Sequence, residues 1–228
     1  MDNSTRPSFI LFDVNETLMN MTPLKKKVNN LLESRRGFRI WFRMLLHYSL
    51  VDTCIGQYRD FGAIADETLD MAAKALGEQI DEDEKKEALA AMKKLPAHSD
   101  VKDGLKLLKE AGYRLATLTN SPMSTLTAQL EYADLTNFFE AALSVDAVKK
   151  YKPAPETYQY AAQTLGVPLQ QVILVAAHGW DIAGALQVGM QAAFIERKGE
   201  SLYPLAPPPQ FIGKDLIDVA KQIIEKYK

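Results

Sequence analysis

The sequence predicts an α/β fold: a Rossmann-like, doubly wound and mostly parallel sheet interrupted by one all-helical insertion. Three observations carry that expectation. The apolar runs Phe9–Phe12 and Val172–Ala176 do not alternate with polar residues, so they read as strands buried on both faces. From residue 99 onward helix and strand patterns alternate, which implies parallel strands joined by right-handed crossovers. Between residues 22 and 98 the periodicity is helical and no strand pattern occurs. The 228 residues, 47% hydrophobic and 25% charged, suffice for a substantial core. A net charge of −2 gives no basis for a nucleic-acid or acidic-membrane partner. The single Cys54 excludes an intrachain disulfide, Met1–Pro7 is polar rather than signal-like, and the apolar stretch Ile40–Val51 is too short to span a bilayer. These features predict a soluble cytoplasmic protein.

The elements follow in order. The first strand ends in Asp13, with Asn15, Glu16 and Thr17 directly after it. Ligands of such sheets bind beyond the carboxyl ends of the strands, so Asp13 is either a nucleophile or a turn-forming Asx residue. In the insertion, Val28, Leu31 and Leu32 fall at helical spacing, and Ile40, Trp41, Met44, Leu45 and Tyr48 share a second helical face. Ile64 to Leu76 forms a third helix stopped at Gly77, and Asp81 caps a fourth that runs through Met92 behind an acidic first turn. Pro96–Asp100 reads as the return linker. The expected division is therefore a core of residues 1–21 and 99–228 and a helical cap of residues 22–98. A helix from Asp100 to Gly112 then leads to a strand at Tyr113–Leu118, and a helix at Met123–Tyr132 to a short strand at Ala141–Ser144. The helix Pro155–Leu165 opens on a proline suited to a first turn. The strand Val172–Ala176, a helix to Val188, the strand Gln191–Ile195, a breaker at Pro207–Pro209 and a helix Leu216–Tyr227 complete the chain.

Polar residues recur at the carboxyl ends of these strands: Asp13, then Thr119 and Asn120, then Lys152, then His178 and Asp181. Each alone could be a helix cap or an exposed loop residue. Strand ends of a doubly wound sheet converge on one crevice, so their recurrence marks a candidate site.

The segments Phe12–Leu18, Thr117–Asn120, Ser144–Pro153 and Ala176–Asp181 resemble, in order and across essentially the whole chain, the haloacid dehalogenase superfamily and its type II 2-haloacid dehalogenases. The resemblance implies hydrolysis of a short 2-haloacid to a 2-hydroxy acid through an aspartyl ester on Asp13, with no metal or organic cofactor. It implies that Lys152 keeps Asp13 ionised and balances the substrate carboxylate, that Thr17 orients Asp13, and that Thr119 and Asn120 bind the carboxylate. Tyr158 lies near the site and Phe61 walls an apolar pocket, while the turn residues Val14 and Asn15 and the cap residues Trp41 and Phe42 complete the substrate's surroundings. For Trp41 and Phe42, packing between cap helices is an equal alternative. A helical face of the insertion could pair two subunits as a homodimer.

Most of the superfamily are magnesium-dependent phosphatases, whose second aspartate and acidic pair are here Asn15 and the pair Ala177/Asp181. The first change removes the acid that protonates the leaving group and the second removes an anionic metal ligand, and phosphoryl transfer needs both. Two other readings remain, a phosphatase with a weakened metal site and a non-catalytic binder of small carboxylates. Within the dehalogenases the sequence departs at three places. The halide-receiving arginine of the cap appears as Phe42, flanked by Arg39 and Arg43. Ser-x-Asn becomes Ala176-Ala177-His178, and Tyr-Gly-Thr becomes Asn15-Glu16-Thr17. The last two changes suggest a Glu16–His178 pair in which the imidazole activates the hydrolytic water.

Overall fold

The computed structural model describes residues 6–228; residues 1–5, on which most of the polar N-terminal reading rests, lie outside it. The strand β1 (Phe9–Phe12) is followed by the helical insertion: α1 (Thr22–Leu31), α2 (Gly37–Cys54), α3 (Phe61–Leu76) and α4 (Glu82–Ala90). Then come α5 (Val101–Glu110), β2 (Arg114–Thr119), α6 (Met123–Tyr132), β3 (Ala141–Ser144) and α7 (Pro155–Leu165). β4 (Val172–Ala176), α8 (Gly179–Gln187), β5 (Gln191–Ile195), β6 (Phe211–Gly213) and α9 (Leu216–Lys226) close the chain.

All pairings in the sheet are parallel, and the strand order is β3-β2-β1-β4-β5-β6. β1 is buried along its whole length between β2 and β4, with no residue on either face left to solvent, which is why its sequence does not alternate. From β1 the chain winds outward through β2 to β3, then crosses back to place β4 on the other side of β1. That reversal opens a crevice at the carboxyl ends of β1 and β4. Asp13 leaves β1 into this crevice, and Ala177 and His178 leave β4 into it.

The insertion holds together by its own packing. α2 lies on α3, with the indole Nε1 of Trp41 donating to Ala65 O at 2.9 Å. Asp60 caps α3 by accepting from Gly62 N and Ala63 N, and Gly77 ends it at φ +79°, a left-handed turn open to glycine. Asp81 caps α4 in the same way. The fourth helix was expected through Met92; it stops at Ala90 and tightens into a 3₁₀ turn at Ala91–Lys93. The chain leaves and rejoins the sheet side by side, through Asn20 N to Pro96 O at 2.8 Å and His98 N to Leu18 O at 2.9 Å. β6 is an edge strand beside β5 that the sequence leaves unassigned; three residues are too few to show a period.

α7 and α8 meet closely at Gly184, where a Cβ would lie 2.5 Å from Tyr158 Oη and 2.6 Å from Pro153 Cβ. Gly184→Ala should therefore cost about 1–3 kcal/mol through overpacking. Urea unfolding reads that cost. Tyr158 Oη donates to Asp181 Oδ1 at 2.6 Å, so the position of Asp181 should be disturbed with it.

Candidate active site

Four segments bring charged groups into one buried cluster. The ammonium of Lys152, which sits in the loop before α7, bonds Asp13 Oδ1 at 2.8 Å, Asp181 Oδ2 at 2.6 Å and Leu118 O at 3.0 Å. All three of its N–H bonds are thus committed, and its side chain is 0% exposed. Asn120 Oδ1 accepts from Lys152 N at 3.0 Å and so positions the loop that presents the lysine. Tyr158 donates to Asp181 Oδ1 at 2.6 Å, which leaves both oxygens of Asp181 occupied.

The second oxygen of Asp13 has two partners. Thr17 Oγ1 donates to Oδ2 at 2.7 Å and accepts from Ala177 N at 2.9 Å, tying the β1 turn to the end of β4. His178 Nδ1 lies 3.1 Å from the same Oδ2, and its Nε2 lies 2.9 Å from Glu16 Oε2. The Glu16–His178 pair therefore forms, in a setting that changes its meaning. Each ring nitrogen faces a carboxylate, so both donate and the resting ring is an imidazolium. Burial disfavours that cation, yet the hydrogen bonds to Asp13 and Glu16 lift its pKa from 6.5 to about 10.

The same balance governs the other charges. Burial alone would raise the Asp13 carboxyl, but the Lys152 charge and the His178 hydrogen bond hold it well below the usual carboxylate range. Burial works against the Lys152 ammonium, and the charges of Asp13 and Asp181 reverse this and raise it. Asp181 is raised by burial; Lys152 opposes the shift and the Asp13 charge adds to it.

Glu16 is held at φ +61°, the left-handed region that costs a non-glycine residue roughly 1–2 kcal/mol. A glycine would rest there freely, which gives the departure from Tyr-Gly-Thr a backbone cost. The hydrogen bond to His178 is what the carboxylate supplies in return.

Not every predicted residue reaches the cluster. Thr119 Oγ1 accepts from Ser121 N at 3.1 Å, which leaves its O–H to donate, and the Asn120 amide keeps its NH₂. The Asn15 amide is turned into the core, donating to Ser121 Oγ at 3.1 Å and accepting from Gln129 Nε2 at 3.0 Å. Val14 is buried, and its carbonyl closes the turn onto Leu18 N and Met19 N. Trp41 fills the α2–α3 seam rather than the crevice. Phe61 stands against Tyr151 and lines a separate cavity of about 310 Å³ with Met92 and Ser121. Phe42 stacks on Phe38 with ring centroids 5.3 Å apart, and both line a larger cavity of about 650 Å³ together with Arg39, Arg43, Glu16 and His178. The cations beside Phe42 therefore face the same space despite the one-residue offset.

Sequence reasoning missed two groups. Trp180 stacks on the His178 ring at 5.0 Å, a contact its place two residues after the histidine could have suggested. Arg197, after β5, donates to Thr17 O at 2.9 Å and forms a paired bond with Asp100, fixing the turn that carries Thr17. No local pattern marks it.

A divalent metal fits the cluster poorly. The Lys152 ammonium already stands between Asp13 and Asp181, where a second cation would be repelled, Asn15 is committed elsewhere and Ala177 has no ligand atom. Glu16, His178 and Glu200 bring ligand atoms within 4.8 Å of one another, and a metal there would have to displace the proton that His178 Nε2 shares with Glu16.

Residues 8–189 match the family model described as haloacid dehalogenase-like hydrolase. The chain belongs to the haloacid dehalogenase-like hydrolases. Among its relatives, (S)-2-haloacid dehalogenase 4A of Burkholderia cepacia is 34% identical over 75% of this chain and 71% of its own. (S)-2-haloacid dehalogenase 1 of Pseudomonas sp. (strain CBS-3) is 35% identical over 69% and 70%. The solved L-2-haloacid dehalogenase of Xanthobacter autotrophicus superposes with a TM-score of 0.85 at 26% identity, covering 95% of this chain and 98% of its own. In this member of the family, the resting charge of His178 is testable through stability. A proton bound more tightly in the fold than in the unfolded chain stabilises fully below pH 6.5, and that contribution is lost as pH rises through about 10. The melting-temperature gap between the native protein and His178→Gln should narrow from about pH 6 to about pH 10. A constant gap would rule out the clamped imidazolium. In Glu16→Gly the ring loses one carboxylate, so its titration, followed by NMR, should move down from about 10 toward 6.5.

Proposed function

We propose that the protein is a hydrolytic dehalogenase that converts a short 2-haloacid to the 2-hydroxy acid through an ester on Asp13. The carrying observation is a buried carboxylate kept ionised by one ammonium and one imidazolium. Oδ2 already accepts from Thr17 and His178, whereas Oδ1 accepts from Lys152 alone. Oδ1 therefore keeps a lone pair, and it attacks C2. The C–O bond forms in line as the carbon–halogen bond breaks, and its electron pair leaves with the halide. The Thr119 hydroxyl and the Asn120 amide hold the substrate carboxylate. Lys152, with every N–H in use, contributes charge and alignment rather than a direct bond.

Esterification removes the negative charge of Asp13. The proton at His178 Nδ1 then faces an ester oxygen instead of a carboxylate and is released, leaving a neutral imidazole oriented by Glu16. That imidazole takes a proton from the water attacking the ester carbonyl carbon, while the Thr17 hydroxyl bonds Oδ2 as charge develops on it. The Cγ–Oδ1 bond breaks, the departing oxygen takes the proton of the added hydroxyl, and Asp13 and the imidazolium are restored. One halide and one proton leave per turnover, and a solvent oxygen stays in Asp13.

The helical insertion, residues 22–98, acts in this reading as the cap of the crevice, since α2 faces His178 across the larger cavity. Among the described residues no helix is long and apolar enough to cross a membrane, and with one cysteine this supports a cytoplasmic enzyme. Exposed Tyr48, Leu50 and Ile55 in and just after α2 support pairing of two copies through the insertion.

With chloro- or bromopropionate, His178→Gln should form the ester and stall, lowering steady-state turnover about 10²–10⁴-fold. Intact mass then shows a gain of the acid less hydrogen halide. A variant turning over at the native rate refutes the base, and native turnover in labelled water that leaves Asp13 unlabelled refutes the ester.

A further inference from the structure

We propose that the cavity beside His178 is a subsite for a second anionic group, so that the preferred substrates are 2-haloacids with a carboxylate at the far end of the side chain. The proposal rests on the reading of Asp13 as nucleophile. β2 and β4 flank β1 on opposite sides, so the carboxylate donors Thr119 and Asn120 and the ring of His178 stand on opposite sides of Asp13. His178 bonds Asp13 through Nδ1 and lines the cavity, so in this proposal a substrate anchored on the β2 side runs its remaining chain past that ring into the cavity.

That cavity, of about 650 Å³, is larger than the methyl group of a halopropionate requires, and its lining has two chemistries. Phe38, Phe42, Leu46 and Trp180 supply apolar surface for methylenes. Lys25, Arg39, Arg43 and Lys198 supply cations, and none of these side chains makes a hydrogen bond or ion pair among the described residues. Arg39 and Arg43 are four residues apart on α2 and so project from the same helical face. Two carboxylates share the space: Glu16 is bonded to His178, and Glu200 lies in the field of His178, Arg43 and Arg39 without an ion pair to either arginine, so four cations face one carboxylate that is not already hydrogen-bonded. The four cations are exposed and hydrated; a side chain ending in methyl gains nothing from them, whereas one ending in a carboxylate matches both parts of the lining.

Halide release from 2-bromo monocarboxylates and from 2-bromo-α,ω-dicarboxylates of equal chain length tests this. The dicarboxylates should be favoured by roughly tenfold or more in kcat/KM, mainly through KM. The ratio should collapse toward one in Arg39→Gln/Arg43→Gln and recover in part in Arg43→Lys. Independently of turnover, halogen-free glutarate and adipate should raise the melting temperature more than butyrate and hexanoate, and the double variant should lose that difference. A native ratio near one overturns the subsite. So does a double variant that slows both substrate classes alike, since the arginines would then only steer anions. Thermal stabilisation by adipate without halide release from any bromoacid would keep the subsite and remove the dehalogenase reading.

Discussion

The ammonium of Lys152 is the constraint on which the site depends. It is wholly buried and bonded to two carboxylates and a carbonyl, so removing it would strand Asp13 and Asp181 as like charges in a dry crevice. A buried charge is tolerable only when its partners are fixed. The fold fixes them by drawing on separate segments: the end of β1, the end of β2, the loop before α7 and the first turn of α8. Gly184 lets Tyr158 approach Asp181, and Asn120 sets the lysine loop. The site is thus a product of tertiary packing rather than of any one motif.

Around that ion pair the charges form a chain of alternating sign, from Asp181 through Lys152, Asp13 and His178 to Glu16. Alternation lets several ionised groups share a buried space, and it makes each protonation state depend on its neighbours. When Asp13 changes from carboxylate to ester, the alternation breaks at the middle and His178 is the group with a proton to release. In the proposed mechanism the first step would thereby prepare the second.

Much of this was legible in the sequence because it follows from local pattern. The unbroken apolar runs mark β1 and β4, and polar residues at successive strand ends mark Asp13, Lys152, His178 and Asp181. The proximity of Glu16 and His178 could be inferred because the β1 and β4 ends adjoin. What pattern could not supply was count and direction. That Nδ1 faces Asp13, making the ring a cation instead of a ready base, depends on where a side chain points. Asn15 lies in the motif yet faces Ser121 and Gln129, which are remote in sequence. Arg197 grips the Thr17 carbonyl from the end of β5, two strands away in the sheet, and β6 is too short to show a period. For Trp41 the sequence left lid and packing between cap helices equally open, because an apolar residue on a helix carries no label for which surface it meets; its indole bonds Ala65 O in the seam of α2 and α3.

The left-handed backbone at Glu16 bears on protein engineering. Transplanting only the histidine into a scaffold with glycine at that turn would bury a cation beside a single carboxylate, while transplanting only the glutamate would strain the loop for no partner. The two exchanges are worthwhile only together, so a library that samples one position at a time would discard both halves of the solution.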